Sequence, residues 1–514
     1  MWRRVYLLLI LVRLYFALSP SYLHPDENFQ GPEVIAGEVF SYPVHHTWEF
    51  TADYPIRSTF PLWLVYGLPM VILRSLWEGV GKEVPPPIVY WTLRVLMFML
   101  SFVLEDWAMH ELVESPRQRK VAVLLVASSY VTWTYQTHTF SNSIETLVVL
   151  WSLVLIGKVV QDKERSGAWA AAVLAFLVVL GVFNRITFPA YIIVPAFQLL
   201  PHFKRKPIAL ASMILFGALT TFLSVYLDTA FYRPNLPTLR TVFKTPVITP
   251  INNVLYNVAV SNLAQHGLHP IYQHAMINLP QLLGPAYILL FANRFHKTIR
   301  VVAAICGTLI LSIFPHQEAR FLIPAVPLIL SSVKIPKKFY RLWLGTWIVF
   351  NIIFGFLMGT YHQGGVVPMQ IHIGTMDNVR QVFWWKTYSP PIWILDGKND
   401  NITTTDLMGM QKEAMAQELL ATVNCAVKER EGRFLVAPAS ATYVDKFVRA
   451  APQSNETEVV LPKYREIYLE ERWRYDNHLN LDDLDFGDDG VWPTLKRVVG
   501  RRGLVLCEIK MRCP

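Results

Sequence analysis

Two adjacent carboxylates, Asp26 and Glu27, follow directly on an apolar N-terminal stretch, MWRRVYLLLILVRLYFALSP. A carboxylate beside a hydroxyl that stays ionised at neutral pH is a general base; otherwise this pair is a helix cap or two solvated loop residues. Other polar groups favour chemistry. The same loop holds Glu33, Glu38, Trp48, Glu49, Asp53 and Arg57, of which Glu38 and Asp53 read as plain loop carboxylates. Later loops supply Asn142 and Glu145, Asn184 and Arg185, the stretch HGLHPIYQH with His266, His269 and His274, and the group His316, Glu318 and Arg320. A phosphate leaving group needs cations and donors around it. Arg185, Arg320 and His316 are the candidates to hold one, although Arg320 would also suit simple snorkelling at a helix end. A base near phosphate-binding cations is the chemistry of group transfer. No glycine-rich phosphate loop or dinucleotide fingerprint occurs, so a soluble nucleotide donor is disfavoured and a lipid phosphate fits better. No metal or other cofactor is expected. The three histidines are spaced by three and five residues across Pro270, CEIKMRC has no histidine companion, and the acidic run NLDDLDFGDDG, read as solvated surface, lacks EF-hand spacing.

The elements that must position these groups are membrane helices. The chain has 514 residues, 53% of them hydrophobic, and a mean hydropathy of +0.31. Apolar stretches long enough to cross a bilayer recur to about residue 358. The net charge of +9 sits in short loops between them, which argues against nucleic acid. With Arg3 and Arg4 cytosolic, the first stretch reads as an uncleaved span, because no small-residue cleavage site follows. TFPLWLVYGLPMVILRSLW is expected to lie in the far interface. If it crossed, the basic loops 117–120, 163–166, 202–206, 294–297 and 334–338 would all be inverted. Eleven crossings follow, near 4–20, 88–112, 120–137, 144–160, 168–182, 186–201, 207–227, 280–293, 299–315, 319–333 and 340–358. The first large lumenal loop is then 21–87 and the second 228–279. Residues 1–360 form a transmembrane module and 361–514 a small mixed or loop-rich lumenal region. The sequons at Asn401 and Asn455 agree with a lumenal tail, and Cys425, Cys507 and Cys513 leave one tail disulfide open without fixing its pairing.

Four ordered motifs carry a resemblance. HPDENFQGPEV, followed by TWEF and PIRSTFPLW, then SNSIET and HQEARFL, resembles the mannosyltransferases of glycosyltransferase family 22, which act on glycosylphosphatidylinositol (GPI) and N-glycan precursors. The similarity covers residues 1 to about 335. Residues 252–285 look most like the members that add the fourth GPI mannose. HQEARFL departs from the family's usual HKEERFL at Gln317 and Ala319, which puts any essential role of those two in doubt. The resemblance implies an α-helical polytopic membrane protein of the GT-C type, with juxtamembrane helices on the lumenal face. It implies a multi-pass enzyme of the endoplasmic reticulum membrane with a lumenal active site, dolichyl-phosphate-mannose as donor, and inverting α1,2 transfer to a trimannosyl GPI precursor. Asp26 would be the base and Glu27 its helper or a substrate ligand. Glu33, Trp48, Glu49, Arg57, Asn142, Glu145, Asn257, His266, His269 and His274 would bind substrate.

Three other readings remain. A third-mannose GPI enzyme or an N-glycan mannosyltransferase would share these motifs. A multi-span transporter would instead show inverted repeats and charged pairs deep in several spans. Arg13 and the pair Glu105–Asp106 are the strongest such charges, and they read as helix-to-helix pairs for stability. A membrane scaffold would need no convergent polar rim.

Overall fold

The structure, a computed structural model, describes residues 2–79, 81–161, 166–236, 238–292, 297–395, 401–422, 432–447, 466–484 and 486–512. Asn455, Cys425, Cys513 and parts of the basic loops at 163–166 and 294–297 lie outside these residues, whereas Asn401 is exposed. Cys507 is a buried free thiol.

The chain opens with helix α1 (Trp2–Ala17). In chain order the main apolar helices that follow are Phe60–Glu78 (α2), Pro86–Leu112 (α3), Ser141–Gln161 (α4), Ala168–Asn184 (α5), Pro207–Tyr232 (α6), Ile299–Ser312 (α7) and Tyr340–Tyr361 (α8). Of these, α2, α3, α4, α6 and α8 are long and apolar enough to cross a membrane, while α5 and α7 are shorter. Helix α4 is apolar on every side and largely buried, as a central helix must be. Helix α6 packs along α5 and turns Leu215, Leu219, Phe222 and Leu223 outward with no protein over them. Such a face needs a lipid solvent. Helix α2, expected to lie flat, has the length and hydropathy of a crossing helix. Its stripe Leu64, Leu68, Ile72 and Leu76 faces out while Tyr66 and Met70 face in.

Four expected spans are broken instead of continuous. Residues 120–137 divide at Ser128–Ser129 into Pro116–Ala127, Tyr130–Trp133 and a 3₁₀ turn. Residues 186–201 begin their helix only at Pro189 and pass after Ala196 through a 3₁₀ turn, Phe197–Leu199, into the helix Leu200–Arg205. Residues 280–293 break at Gly284, whose φ of 51° and contact with the Phe350 ring leave no room for a side chain. Residues 319–333 form a 3₁₀ turn, Ala319–Leu322, and then the helix Ala325–Leu330. Proline or glycine lies at three of these irregularities, the Ser128–Ser129 break having neither, and irregular backbone at membrane depth is tolerable where protein surrounds it.

Several ionisable groups inside the bundle are paired or hydrogen-bonded, while Glu105 is buried with one carboxyl oxygen lacking a partner among the described residues. Arg13 Nη2 meets Asp106 Oδ1 at 3.2 Å, and its Nη1 donates to Ser101 Oγ at 3.0 Å. Arg94 of α3 donates to the carbonyls of Phe16, Ala17 and Ser19 at 2.9–3.2 Å. It thereby satisfies acceptors that the C-terminus of α1 leaves open, and it fixes where the chain enters the loop that carries Asp26. Asp228, buried on α6, accepts from Thr59 N at 2.8 Å, Thr59 Oγ1 and Ser58 Oγ at 3.0 Å, and Thr249 Oγ1 at 2.9 Å. One carboxylate so ties the first loop to the second.

Residues beyond 361 build a five-stranded mixed sheet in the order β2–β1–β3–β5–β4, where β1 is Val379–Trp384, β2 Thr403–Asp406, β3 Gly432–Pro438, β4 Glu466–Tyr475 and β5 Leu504–Arg512. The pairs β1–β2 and β1–β3 are parallel, and β5 is antiparallel to β3 and β4. Side chains alternate between faces. Phe383, Leu435 and Leu469 pack with Met415 and Leu419 on one face. Val382, Trp384 and Val436 pack on the other with Val366, Met369 and Tyr22 of the first loop. Tyr22 is pinned further: its N–H donates to His362 O and its hydroxyl to Ser389 O, both at 3.1 Å. The acidic run is not all solvated surface, because Asp483 is buried, pairs with Lys386 at 3.0 Å and accepts from Ser440 Oγ at 2.8 Å.

Asp228→Ala leaves four buried donors without their acceptor and should cost about 3 kcal/mol. Asp445→Ala removes an exposed pair with Arg501 and should change stability by less than about 0.5 kcal/mol. Thermal unfolding in detergent compares the two; an equal loss would refute the role given to Asp228.

Candidate active site

The first loop, the 184–190 turn, the 253–266 segment and the 316–321 turn close around one cavity of about 640 Å³. Its lining includes Asp26, Trp48, Glu49, Arg57, Arg185, Asn257, His266, His316 and Arg320 from the expected residues, together with His24, Gln30, Thr187, Asn253, Tyr256, Glu318 and Phe321. One wall is apolar, formed by Ile193, Ile310, Leu311 and Phe314.

Asp26 opens a short helix, Asp26–Phe29, behind a Pro25 that starts the turn. Arg320 comes from the 3₁₀ turn Ala319–Leu322. Tyr191 supports that turn by donating to Phe321 O at 2.8 Å, and Tyr191 can stand there because Gly307 has no side chain to meet its ring. Arg320 Nη1 binds Asp26 Oδ2, while Nε and Nη2 hold both oxygens of Glu318. Glu318 also meets His316 Nε2 at 2.9 Å, and His316 Nδ1 faces Gly267 O at 3.0 Å. Both nitrogens of that ring point at acceptors, so the geometry suits the doubly protonated form. Burial works against this charge, but Glu318 and the Gly267 carbonyl outweigh it and raise the His316 pKa. Burial alone would raise Asp26; the Arg320 guanidinium beside it holds it well below the usual carboxylate range. Glu318 is likewise depressed, since Arg320 and His316 overcome its burial.

Two further guanidiniums face the same space. Arg57 is held by Glu49 at 2.9 Å, and Gln30 donates to the other Glu49 oxygen at 3.0 Å. Arg185 is held by Glu145 at 3.3 Å and donates to Ser141 Oγ at 2.9 Å; Thr187 Oγ1 donates to Glu145 at 2.5 Å. Phe321 lies between Arg185 and Arg320, its ring 5.3 and 5.7 Å from their guanidinium carbons. At the other end Trp48 lies 4.7 Å from Tyr256 and 5.7 Å from His266 between ring centroids, and Tyr256 Oη is 3.0 Å from His266 Nε2.

Six expected residues stand outside the lining. Glu27, expected as helper or substrate ligand, is fully enclosed behind Asp26: Leu23 N donates to it at 3.3 Å and His138 Nδ1 lies 2.8 Å away. Burial pushes Glu27 up to about 8 and His138 well down, so at neutral pH this pair carries no net charge and works as a structural peg. Glu33 is buried too, accepts from His45 N at 2.8 Å and is pushed by burial to about 8. Asn142 and Glu145 lie beneath the cavity, and Glu145 acts through Arg185. His269 Nδ1 accepts from Gln317 N at 3.3 Å, and buried His274 faces Asn278 at 2.8 Å. Gln317 spans Ser312 O, Phe314 O and His274 N, so its part is to fold the turn. Sequence reasoning passed over His24, Gln30, Thr187 and Asp228. His24 adjoins Asp26 and was findable on that ground, and Asp228 was visible as a lone carboxylate at the end of an apolar run.

Among the described residues no group of three or more His, Cys, Asp or Glu side chains is arranged to hold a metal ion.

Comparison with known proteins places this geometry. The crystal structure of ArnT from Cupriavidus metallidurans bound to undecaprenyl phosphate superposes with a TM-score of 0.51, covering 86% of this chain and 94% of that one. At 11% identity the likeness is one of fold, a GT-C membrane architecture. Proteins named GPI mannosyltransferase 4 are similar along their whole length. That of Aspergillus oryzae is 52% identical and covers 99% of both chains. That of Emericella nidulans is 49% identical over 98% of this chain and 97% of its own, and that of Saccharomyces cerevisiae is 35% identical over 93% and 94%. The profile of the Alg9-like mannosyltransferase family matches residues 4–395. With most of its length matched and full-length relatives well above 30% identity, this chain belongs to the Alg9-like mannosyltransferase family.

Proposed function

We propose that this mannosyltransferase takes mannose from dolichyl-phosphate-mannose and joins it, α1,2 and with inversion, to the third mannose of a GPI precursor at the lumenal face of the endoplasmic reticulum membrane. The observation that carries the reading is one cavity with three carboxylates, Asp26 among them, three guanidiniums and an apolar wall. The names of the full-length relatives supply the GPI class. The lumenal placement follows from the distribution of basic loops, with α2 lying in the interface and eleven crossings in all. The reaction needs no metal in this reading, because guanidiniums supply the positive charge.

The donor's phosphodiester carries one negative charge and the departing dolichyl phosphate carries more. Arg57, Arg185 and Arg320, with His316 behind them, are placed to stabilise charge that grows as the bond breaks. The acceptor hydroxyl oxygen bonds to the anomeric carbon, its proton passes to Asp26, and the anomeric carbon–oxygen bond breaks with its electron pair going to phosphate. A single displacement of this kind needs one base and no covalent intermediate. Asp26 in its resting pair is a weak base. A phosphate arriving at Arg320 Nη1 competes with Asp26 Oδ2 for the same hydrogen, while Glu318 keeps the rest of the guanidinium in place. Acceptor recognition falls to Trp48, Tyr256, Asn257 and His266, whose rings and amide can pack on and hydrogen-bond a sugar.

Asp26→Asn should lower kcat about 10²–10⁴-fold with donor binding retained; near-normal turnover at matched expression would remove Asp26 as the base. Arg320→Leu takes away the largest influence holding Asp26 down, so burial raises its pKa. The ionised form is the active one, so the acid limb of kcat/KM should move to higher pH than in the parent enzyme. An acid limb that stays in place breaks the link between the two residues. Cells lacking the protein should accumulate GPI with three mannoses and keep complete N-glycan precursors. A two-mannose GPI would move the enzyme to the third-mannose step, and truncated dolichol-linked oligosaccharide with normal GPI would move it to N-glycan assembly.

A further inference from the structure

His24 lies between the base and the phosphate-binding arginine. Its Nδ1 accepts the backbone N–H of Asp26 at 3.2 Å and faces Arg320 Nη1 at 3.2 Å. Two donors aimed at one ring nitrogen leave no hydrogen on it, so the ring's hydrogen sits on Nε2. The Nδ1 contact with Asp26 Oδ1, at 3.3 Å, is then not a charge pair at rest. It is a lone pair beside a carboxylate oxygen that has no hydrogen to share until the reaction delivers one. The ring also lines the cavity, and its side chain is 35% exposed. The other groups around it are Glu318, His362, Asp482 and the ring of Tyr388, 6.2 Å away. None of them is in hydrogen-bond contact with Nδ1 among the described residues.

We infer that His24 is the proton relay for this transfer: it removes from Asp26 the proton taken from the acceptor hydroxyl. The inference rests on Asp26 being the base. After transfer Asp26 is a neutral acid and the departed phosphate carries the electron pair of the broken bond. While Arg320 is still turned to the phosphate, and so away from His24, the carboxyl O–H hydrogen passes to His24 Nδ1. The imidazolium then loses its Nε2 hydrogen to water in the cavity and re-forms its resting tautomer by exchange with that water. No oxidant, metal or second substrate enters. Imidazole suits the step because it gains and loses a proton near neutral pH and has two nitrogens on opposite edges.

The competing role is a structural one, a cap for the Asp26–Phe29 helix. His24→Asn separates the two, because asparagine is a good cap acceptor but carries no proton at neutral pH. Each variant is reconstituted in vesicles and assayed with dolichyl-phosphate-mannose, with dolichyl phosphate as the binding probe. His24→Asn should keep its unfolding midpoint and its affinity for dolichyl phosphate, lose about 10²-fold in kcat, and show a larger solvent deuterium isotope effect than the parent. His24→Ala should regain activity, saturably, with added imidazole. The relay is overturned if the Asn variant turns over within about twofold of the parent, or loses activity with no change in isotope effect. Failure of imidazole to restore the Ala variant also overturns it. Asp26→Asn, run alongside, keeps the two readings distinct: full activity there refutes the base itself, whereas an inactive Asp26→Asn with a fully active His24→Asn refutes only the relay.

Discussion

Arg320 stands where loops close over apolar helices, and only about an eighth of its side chain meets solvent. A guanidinium has five N–H groups and no way to shed its charge, so in such a place it must be surrounded by acceptors. Glu318 takes one edge as a two-pronged partner and Asp26 takes the remaining arm. Glu318 in turn draws in His316, and His316 reaches Gly267 in the second loop. The geometry of the cavity thus follows from solvating one buried cation. The same pairing leaves one guanidinium edge held by both oxygens of Glu318 and the other bound to Asp26.

The remaining charges obey the same rule. Arg57 is paired with Glu49 and Arg185 with Glu145. Glu145 lies beneath the cavity behind Arg185, whereas Glu49 lines it beside Arg57, so each cation is matched and the resting site stays close to neutral. Outside the cavity, Arg94 and Asp228 satisfy clusters of backbone and hydroxyl groups that would otherwise be unpaired near the membrane. Those two residues set the exit of α1 and the closure of the two loops, so they position Asp26 without touching the cavity.

Much of this could be read from the residues. Long apolar runs gave α3, α4, α6 and α8 close to their observed bounds, because a helix that buries or greases every side needs no partner to be recognised. Shorter runs such as 280–293 misled, since Gly284 and Pro285 break a stretch whose composition alone suggests a span. Asp26, Arg320 and Arg185 were visible as ionisable groups at the ends of apolar runs. Glu27 and Glu33 carry the same signal and yet are buried away from the cavity, Glu27 because adjacent residues on a short helix point in different directions and Glu33 because it lies in the first turn of the next helix, Pro32–Phe40. Sequence shows that a carboxylate is present, but only packing shows which way it faces. His24 was hidden by its neighbour: a histidine beside a more conspicuous carboxylate draws no separate notice until its nitrogens have partners.

The docking of Tyr22 into the core of the terminal sheet reaches across the whole chain. Its hydroxyl bonds to a carbonyl 367 residues away, and Leu504 and Leu506, near the last residue, share its core. A ribosome making this protein therefore releases the first loop into the membrane long before the segment that steadies it exists. Apolar helices can insert one after another as they emerge, but the Tyr22–His24–Asp26 turn must wait for the final strand. Contacts of such separation form slowly. Completion of that turn thus depends on a strand, Leu504–Arg512, made hundreds of residues after it.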